Sequence, residues 1–359
     1  MGFWLEMLSR LRIHHLRCLE TVEVCPAGPG MITAFVGDNA QGKTSILEGL
    51  CLLMRLQSPR AVGWGELARI GGRGFAVEGE YAGRLLRVVM REGKREYWVD
   101  GARLARGREY LAESGLVTWM ANDDIQLVRG GGEGRRRFLD FAASQVFPDY
   151  LPALRRYERA LRARNYLLKS AGAVAGELDA YSRVLLAEGV VLTAARQALC
   201  GRLQPELARA QGVVSGSGEE LEMVYIDGSR GDFAAALEQS EAEEKRRKMT
   251  LRGPHRDDFQ LRLNGMEAGR YASEGQQRTI ALSLKLGQSR VLGDVGEHQP
   301  LLLMDDIFGE LDPDRRRRLL AFLPADALVL VTATSLEWAD AEMRDRLQVM
   351  RVAGGNLLR

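Results

Sequence analysis

Met31–Val36 is a short, mostly apolar run closed by Gly37, the pattern of a buried strand. Apolar residues then recur at Ile46, Leu47, Leu50, Leu53 and Met54, a spacing near 3.6 that predicts a helix from Lys43 to about Leu56. Between residues 75 and 100 the period falls to two. Phe75, Val77 and Tyr81 sit at even spacing, as do Leu86, Val88 and Met90, and Glu92-Gly93 and Asp100-Gly101 supply turns. An antiparallel meander is expected there. Residues 148–212 are rich in Ala, Leu and Arg and read as two helices broken at Ala171–Gly176, a helical arm. Ser215–Gly218 reads as a loop. After Gly253 the α/β pattern returns, with a helix from Gln276 to about Leu292 that carries Ile280, Leu284 and Val291 on one face. Leu301–Met304 and Ala327–Val331 read as buried strands.

Neither outer piece has enough strands to close a sheet core alone, so the two are expected to form one α/β domain. Residues 1–147 and 248–359 would make that domain, with 148–247 as the inserted arm. The 359-residue length, above the usual limit of a single core, agrees with two units. A chain 46% hydrophobic and 27% charged is globular rather than disordered. Net charge of +2 leaves nucleic-acid binding to local clusters. Cys18, Cys25, Cys51 and Cys200 include no CxxC pair, which points to ordinary reduced thiols rather than a zinc or redox site. The apolar runs are too short to cross a bilayer, and the N-terminus lacks the features of a secretory signal. Glu6 stands where a myristoylation signal wants Ser or Thr. A cytoplasmic protein without a membrane partner is expected.

Gly37-Asp38-Asn39-Ala40-Gln41-Gly42-Lys43-Thr44 matches GxxxxGK[ST] in full, and Ser45 continues it. Glycines let the backbone curl so that N–H groups point at phosphate oxygens, and the following helix turns its positive end the same way. Lys43 is then the cation for the β- and γ-phosphates of ATP, and Thr44 offers its hydroxyl to Mg²⁺. A chance glycine loop would not need the strand before it and the helix after it.

Leu301–Met304 runs into Asp305-Asp306. Asp305 is placed to hold Mg²⁺ with Thr44, and Asp306 to polarise the attacking water. Two solvated acids at a strand end would look the same in isolation. Upstream, Ser273-Glu274-Gly275-Gln276 heads a helix and resembles the ABC signature, usually Ser-Gly-Gly-Gln. In that family the Ser and Gly contact the γ-phosphate bound by the opposite subunit. A plain helix cap is the competing reading of Ser273. Glu310-Leu311-Asp312 resembles the D-loop, and Thr332-Ala333-Thr334 falls where ABC proteins carry a switch residue.

Gly37–Gly49, Arg135–Asp140, Arg164-Asn165, Gly253-Pro254-His255-Arg256-Asp257-Asp258, Glu274–Arg278 and Asp305–Asp312 occur in a fixed order along nearly the whole chain. Together they resemble the RecF family of bacterial recombination-repair ATPases. The resemblance implies an ABC-type ATPase head with an antiparallel β meander and an inserted helical arm. It implies slow, DNA-stimulated ATP hydrolysis and an ATP-dependent homodimer that clamps double-stranded or gapped DNA. It further implies work with RecO and RecR to load RecA at gaps. Arg17, within His14-His15-Leu16-Arg17-Cys18, is the one residue kept from the family's usual Asn-Phe-Arg-Asn and is expected on the ATP. Ala121–Asp124, in a loop resembling the Q-loop, lacks the family's proline, and Gly309 replaces a usual Ser.

Four basic runs stand out: Arg135–Arg137, Arg155 to Arg164, Lys245–Lys248 and Arg315–Arg318. Arg155, Arg159 and Arg162 share a helix face and are the DNA-contact candidates, through phosphates and without base reading. His255 reads as structural, and Arg256-Asp257-Asp258 as an internal charge network. A diverged paralogue on DNA with another partner would share these motifs. A P-loop phosphotransferase would leave the signature and the long stretch between Lys43 and Asp305 unexplained.

Overall fold

The computed structural model describes residues 7–60, 63–170 and 175–358. The chain forms two compact units. One is built from the chain up to Asp123 and from Leu292 onward; the other is Asp124–Val291.

The first unit holds two six-stranded sheets. In one the order is Asn356–Leu358, Leu347–Ala353, Ile32–Val36, Val329–Ala333, Leu301–Asp305, Val117–Ala121. Its strands run parallel except for the edge hairpin that ends at Leu358. Ile32–Val36, Leu301–Asp305 and Val329–Ala333 are almost wholly buried, which is why they read as continuous apolar runs. The other sheet is the meander, Thr21–Val24, Leu8–His14, Gly74–Tyr81, Arg84–Arg91, Lys94–Val99, Ala102–Leu104. Its strands bury alternate residues and turn through left-handed pairs, Ala82-Gly83, Glu92-Gly93 and Asp100-Gly101.

The Lys43–Arg55 helix packs against strands of both sheets. It is therefore buried around its whole circumference and not only along the predicted stripe: Cys51, Leu52 and even Glu48 are fully covered.

In the second unit the Tyr150–Lys169 and Ala175–Ser215 helices form the predicted pair; residues 171–174 of the expected break lie outside the described residues. Asp258–Leu263 pairs with Leu221–Ile226, which ties the chain after Gly253 to the helical arm. The units accordingly divide at Asp123/Asp124 and Val291/Leu292 rather than at residues 147 and 247. By length and composition Gly176–Ser215 could cross a bilayer. Within the unit, however, Leu185, Leu192, Leu199, Leu203 and Leu207 join Phe138, Tyr150 and Phe259 in the core. Its Glu188 and Arg196 are ion-paired to Arg156, and to Asp140 and Asp257.

Candidate nucleotide site

Strand Ile32–Val36 delivers the chain into the loop Gly37–Gly42. Ala40 and Gly42 adopt left-handed conformations, φ 62° and 104°, which curl the loop. The Lys43–Arg55 helix opens on Gly42 with no side-chain cap and no acid in its first turn. Its leading N–H groups thus meet no capping side chain and no acid of the helix's own, which leaves them free to hold an anion. Lys43 Nζ is largely buried and donates to the carbonyls of Gly37 (2.5 Å) and Asp38 (2.8 Å), across the mouth of the loop.

Beside the loop lies a cavity of about 1020 Å³. Asn39–Ser45, Arg17, Asp305, Asp306 and Thr332 line it, together with Arg60, Glu66, Arg69 and Ile70. Thr44 Oγ1 donates to Asp305 Oδ1 at 2.8 Å, and Thr332 Oγ1 donates to the same oxygen at 2.7 Å. Oδ2 of Asp305 takes no hydrogen bond among the described residues, so a hydroxyl and a carboxylate oxygen stand together as hard donors of the kind Mg²⁺ takes.

Asp306 is left-handed, φ 55°. Its backbone N–H donates to Thr332 Oγ1 (3.0 Å) and its carbonyl accepts from Asn122 Nδ2 (2.9 Å). Side chains thus hold both of its main-chain groups in a conformation costing about 1 kcal/mol or more. Burial pushes the Asp306 carboxyl up from the ordinary range; Lys43 opposes this and Asp305 and Glu310 reinforce it. A carboxylate with a raised affinity for protons is suited to accept one from water.

Arg17 lines the cavity, yet its guanidinium is occupied. Nε and Nη2 donate to both oxygens of buried Glu48, at 2.9 Å each, and Nη1 to the Glu66 carbonyl. Glu48 lies off the apolar stripe of its helix, where a carboxylate reads as a solvated residue, so this pair had no sequence signal. Thr332 and Asn122 lie in the switch-like and Q-loop-like segments, but their bonds to Asp305 and Asp306 depend on strands brought together only in the fold.

The signature candidates lie in the second unit. Ser273 is exposed and forms a reciprocal cap with Gln276: Gln276 N–H donates to Ser273 Oγ (3.3 Å) and Ser273 N–H to Gln276 Oε1 (2.9 Å). Glu274 is exposed and Gly275 half-buried at the same helix start. Asp312 caps the Pro313–Phe322 helix by accepting from Arg315 N–H, and Glu310 is exposed beside it.

The basic runs separate by partner. Arg135 is forked onto Asp258 and Arg136 donates to the Asp257 carbonyl. Lys245, Arg246 and Arg247 pair with Glu241 and Glu243, and Arg315 and Arg317 with Asp312 and Asp314. Arg164 is buried against Glu244, Ser182 and Thr250. Arg155, Arg159 and Arg162 are exposed on the Tyr150–Lys169 helix. Arg162 lies 3.8 Å from Glu158, and Arg155 and Arg159 have no ion pair among the described residues. His255 is enclosed: its Nε2 contacts the Thr250 carbonyl, which can only accept, so Nδ1 is left to accept from the Tyr157 hydroxyl.

No protein-family model matches the chain. Curated proteins described as DNA replication and repair protein RecF do. Those of Synechococcus sp. (strain JA-2-3B'a(2-13)) and Myxococcus xanthus (strain DK1622) are 35% and 34% identical to it. Each alignment covers 98% of this chain, and 97% and 96% of the relative. The chain belongs to the RecF family. Among solved structures, one of the recombination mediator protein RecF-ATP in the RecFOR pathway aligns with TM-score 0.86 at 25% identity, over 100% of this chain and 99% of that one. An Smc head bound to the C-winged helix domain of ScpA, 12% identical with TM-score 0.55, covers 98% of this chain and 95% of its own, and shows the fold alone. The RecF fold thus accounts for the ABC-type head, the meander and the helical insert.

Proposed function

We propose that this RecF-family chain is an ATP-dependent DNA-repair ATPase of the RecF type, working in the cytoplasm. The carrying observation is the convergence of Lys43, Thr44, Asp305 and Asp306 on one cavity at an uncapped helix start. In this reading the backbone of Gly37–Thr44 cradles the β- and γ-phosphates, and Lys43 exchanges its loop carbonyls for phosphate oxygens. Thr44 and Asp305 would hold Mg²⁺, which when bound neutralises charge on the phosphates. Asp306 takes the proton of the attacking water, helped by a carboxyl that burial makes more basic.

ATP would also join two copies. Ser273, Glu274, Gly275 and Gln276 of one copy would face the γ-phosphate held by the other, with the Glu310–Asp312 segment beside it. The exposed face of Arg155, Arg159 and Arg162 would then meet the phosphates of double-stranded or gapped DNA, without regard to sequence. Membership of the RecF family supports RecO and RecR as partners, and RecA loading as the outcome. Size-exclusion chromatography with and without ATP, on wild type and Asp306→Asn, tests the reading. A stable dimer of Asp306→Asn in ATP, and a transient one of wild type, is expected. A monomer in every condition would overturn the dimer.

A further inference from the structure

The phosphate loop is braced from outside by the far end of the chain. Strand Leu347–Ala353 lies parallel to Ile32–Val36, so its end emerges beside the loop. It turns back into Asn356–Leu358 through Gly354 and Gly355, both left-handed at φ 56° and 77°, the form of a two-residue hairpin turn. Both turn N–H groups are spent on one loop residue: Gly354 N–H donates to Gln41 Oε1 (2.6 Å) and Gly355 N–H to the Gln41 carbonyl (3.0 Å).

Steric fit repeats the same contact. A Cβ on Gly355 would come within 2.6 Å of the Cys18 carbonyl. One on Gly42 would meet Leu19 Cδ2 at 2.7 Å and Cys18 Sγ at 3.0 Å, and one on Gly37 would sit 2.2 Å from the Val352 carbonyl. The loop is thus closed in by the Cys18-Leu19 segment, the last full strand and the hairpin turn. A phosphate-binding loop has to hold its N–H groups in place before the anion arrives, and looseness there lowers affinity.

From these contacts we propose that the Gly354–Gly355 turn, acting through Gln41, is a positioning element for the phosphate loop. The inference rests on the loop being the ATP site. Gln41, Gly354 and Gly355 form one brace, so damage at either side should cost the same affinity once.

The test is calorimetric titration of the full chain with a non-hydrolysable ATP analogue, alongside nucleotide-free thermal melting. Gln41→Leu removes the side-chain acceptor, and Gly355→Ala drives a methyl group at the Cys18 carbonyl. Each is expected to weaken binding about tenfold, with melting temperature little changed for Gln41→Leu. Gln41→Asn, which keeps an accepting amide oxygen without adding charge to the loop, should lose less than Gln41→Leu. The double variant should bind no more than marginally worse than either single one, because both loosen the same junction between turn and loop. Additive losses, or a Gly355→Ala protein that binds like wild type, would overturn the brace. Lys43→Ala separates the two readings: if it binds the analogue normally, the site assignment has failed and not the brace.

Discussion

Thr44 and Asp305 are 261 positions apart in sequence and joined by a hydrogen bond of 2.8 Å. That bond fixes the helix behind the phosphate loop to the strand that carries the acids. With Thr332 on the same carboxylate oxygen, three segments of chain meet at one atom. Thr44→Val should abolish metal-dependent ATP hydrolysis and weaken magnesium-dependent nucleotide binding, measured by turnover and by calorimetry with and without the metal. Metal-independent affinity equal to that of wild type would show that the loop itself survives.

Asp306→Asn should bind ATP as wild type does and hydrolyse it at least about a hundredfold more slowly, because the amide keeps the shape and loses the basic oxygen. The pH profile carries a second signature. Burial raises the Asp306 pKa, so the protonated, inactive form persists to higher pH than for a free carboxyl. Hydrolysis should therefore rise with pH along a limb above the usual carboxylate range. A profile flat down to pH 4 would assign the proton acceptor elsewhere.

His255 makes the second unit sensitive to acid. Burial, with Arg256, Arg136 and Arg164 nearby, pulls its pKa down to about 4 against a carbonyl contact that opposes the shift. The unfolded chain takes up the proton near pH 6.5 while the folded one does not, so stability is complete above that pH and is lost as pH falls towards 4. At about 1.4 kcal/mol per pH unit, moving from pH 6.5 to 5 should cost about 2 kcal/mol in urea unfolding. In His255→Gln that slope should vanish.

Ser273→Arg should block ATP-driven dimerisation in sedimentation while leaving nucleotide binding by the single chain intact. The reciprocal cap with Gln276 makes a control necessary, since loss of a cap costs about 1 kcal/mol in its own right. Ser273→Asp keeps the cap. If it dimerises normally, the serine is needed only as a cap.

Replacing Arg155, Arg159 and Arg162 with Ala should flatten the salt dependence of DNA binding in anisotropy titrations without changing ATP affinity. Each lost phosphate contact removes a slope of about 0.9 in log affinity against log salt. ATP should strengthen DNA binding by the same factor as DNA strengthens ATP-driven association. An unchanged slope would move the DNA contact elsewhere on the chain.

The meander strands and the helix after the phosphate loop were legible because each has one clear period, Phe75, Val77 and Tyr81 at two and Ile46 to Met54 near 3.6. The central strands were legible as continuous apolar runs, whereas Leu8–His14, Val117–Ala121, Gly132–Val146 and Leu347–Ala353 carried no signal strong enough to be read. The phosphate loop and Asp305-Asp306 were legible because their chemistry is local. The all-round burial of the Lys43–Arg55 helix was not, since a sequence window cannot show that two sheets close on one helix. The limits of the arm were misplaced for a similar reason. Asp258–Leu263 looks like any strand, and only its pairing with Leu221–Ile226 assigns it to the second unit. Thr332 and Asn122 fell inside the switch-like and Q-loop-like segments, but their bonds to Asp305 and Asp306 were not legible, because a hydroxyl and an amide declare a partner only through their neighbours in the fold.

Strand Ile32–Val36 lies between Val329–Ala333 and Leu347–Ala353. During synthesis, therefore, the strand that feeds the phosphate loop leaves the ribosome with neither neighbour yet made. Contacts between such distant segments form slowly. The second unit, continuous from Asp124 to Val291, can fold while the first is still waiting. The nucleotide site can be completed only after the chain has been made as far as Gly355, whose N–H holds the Gln41 carbonyl.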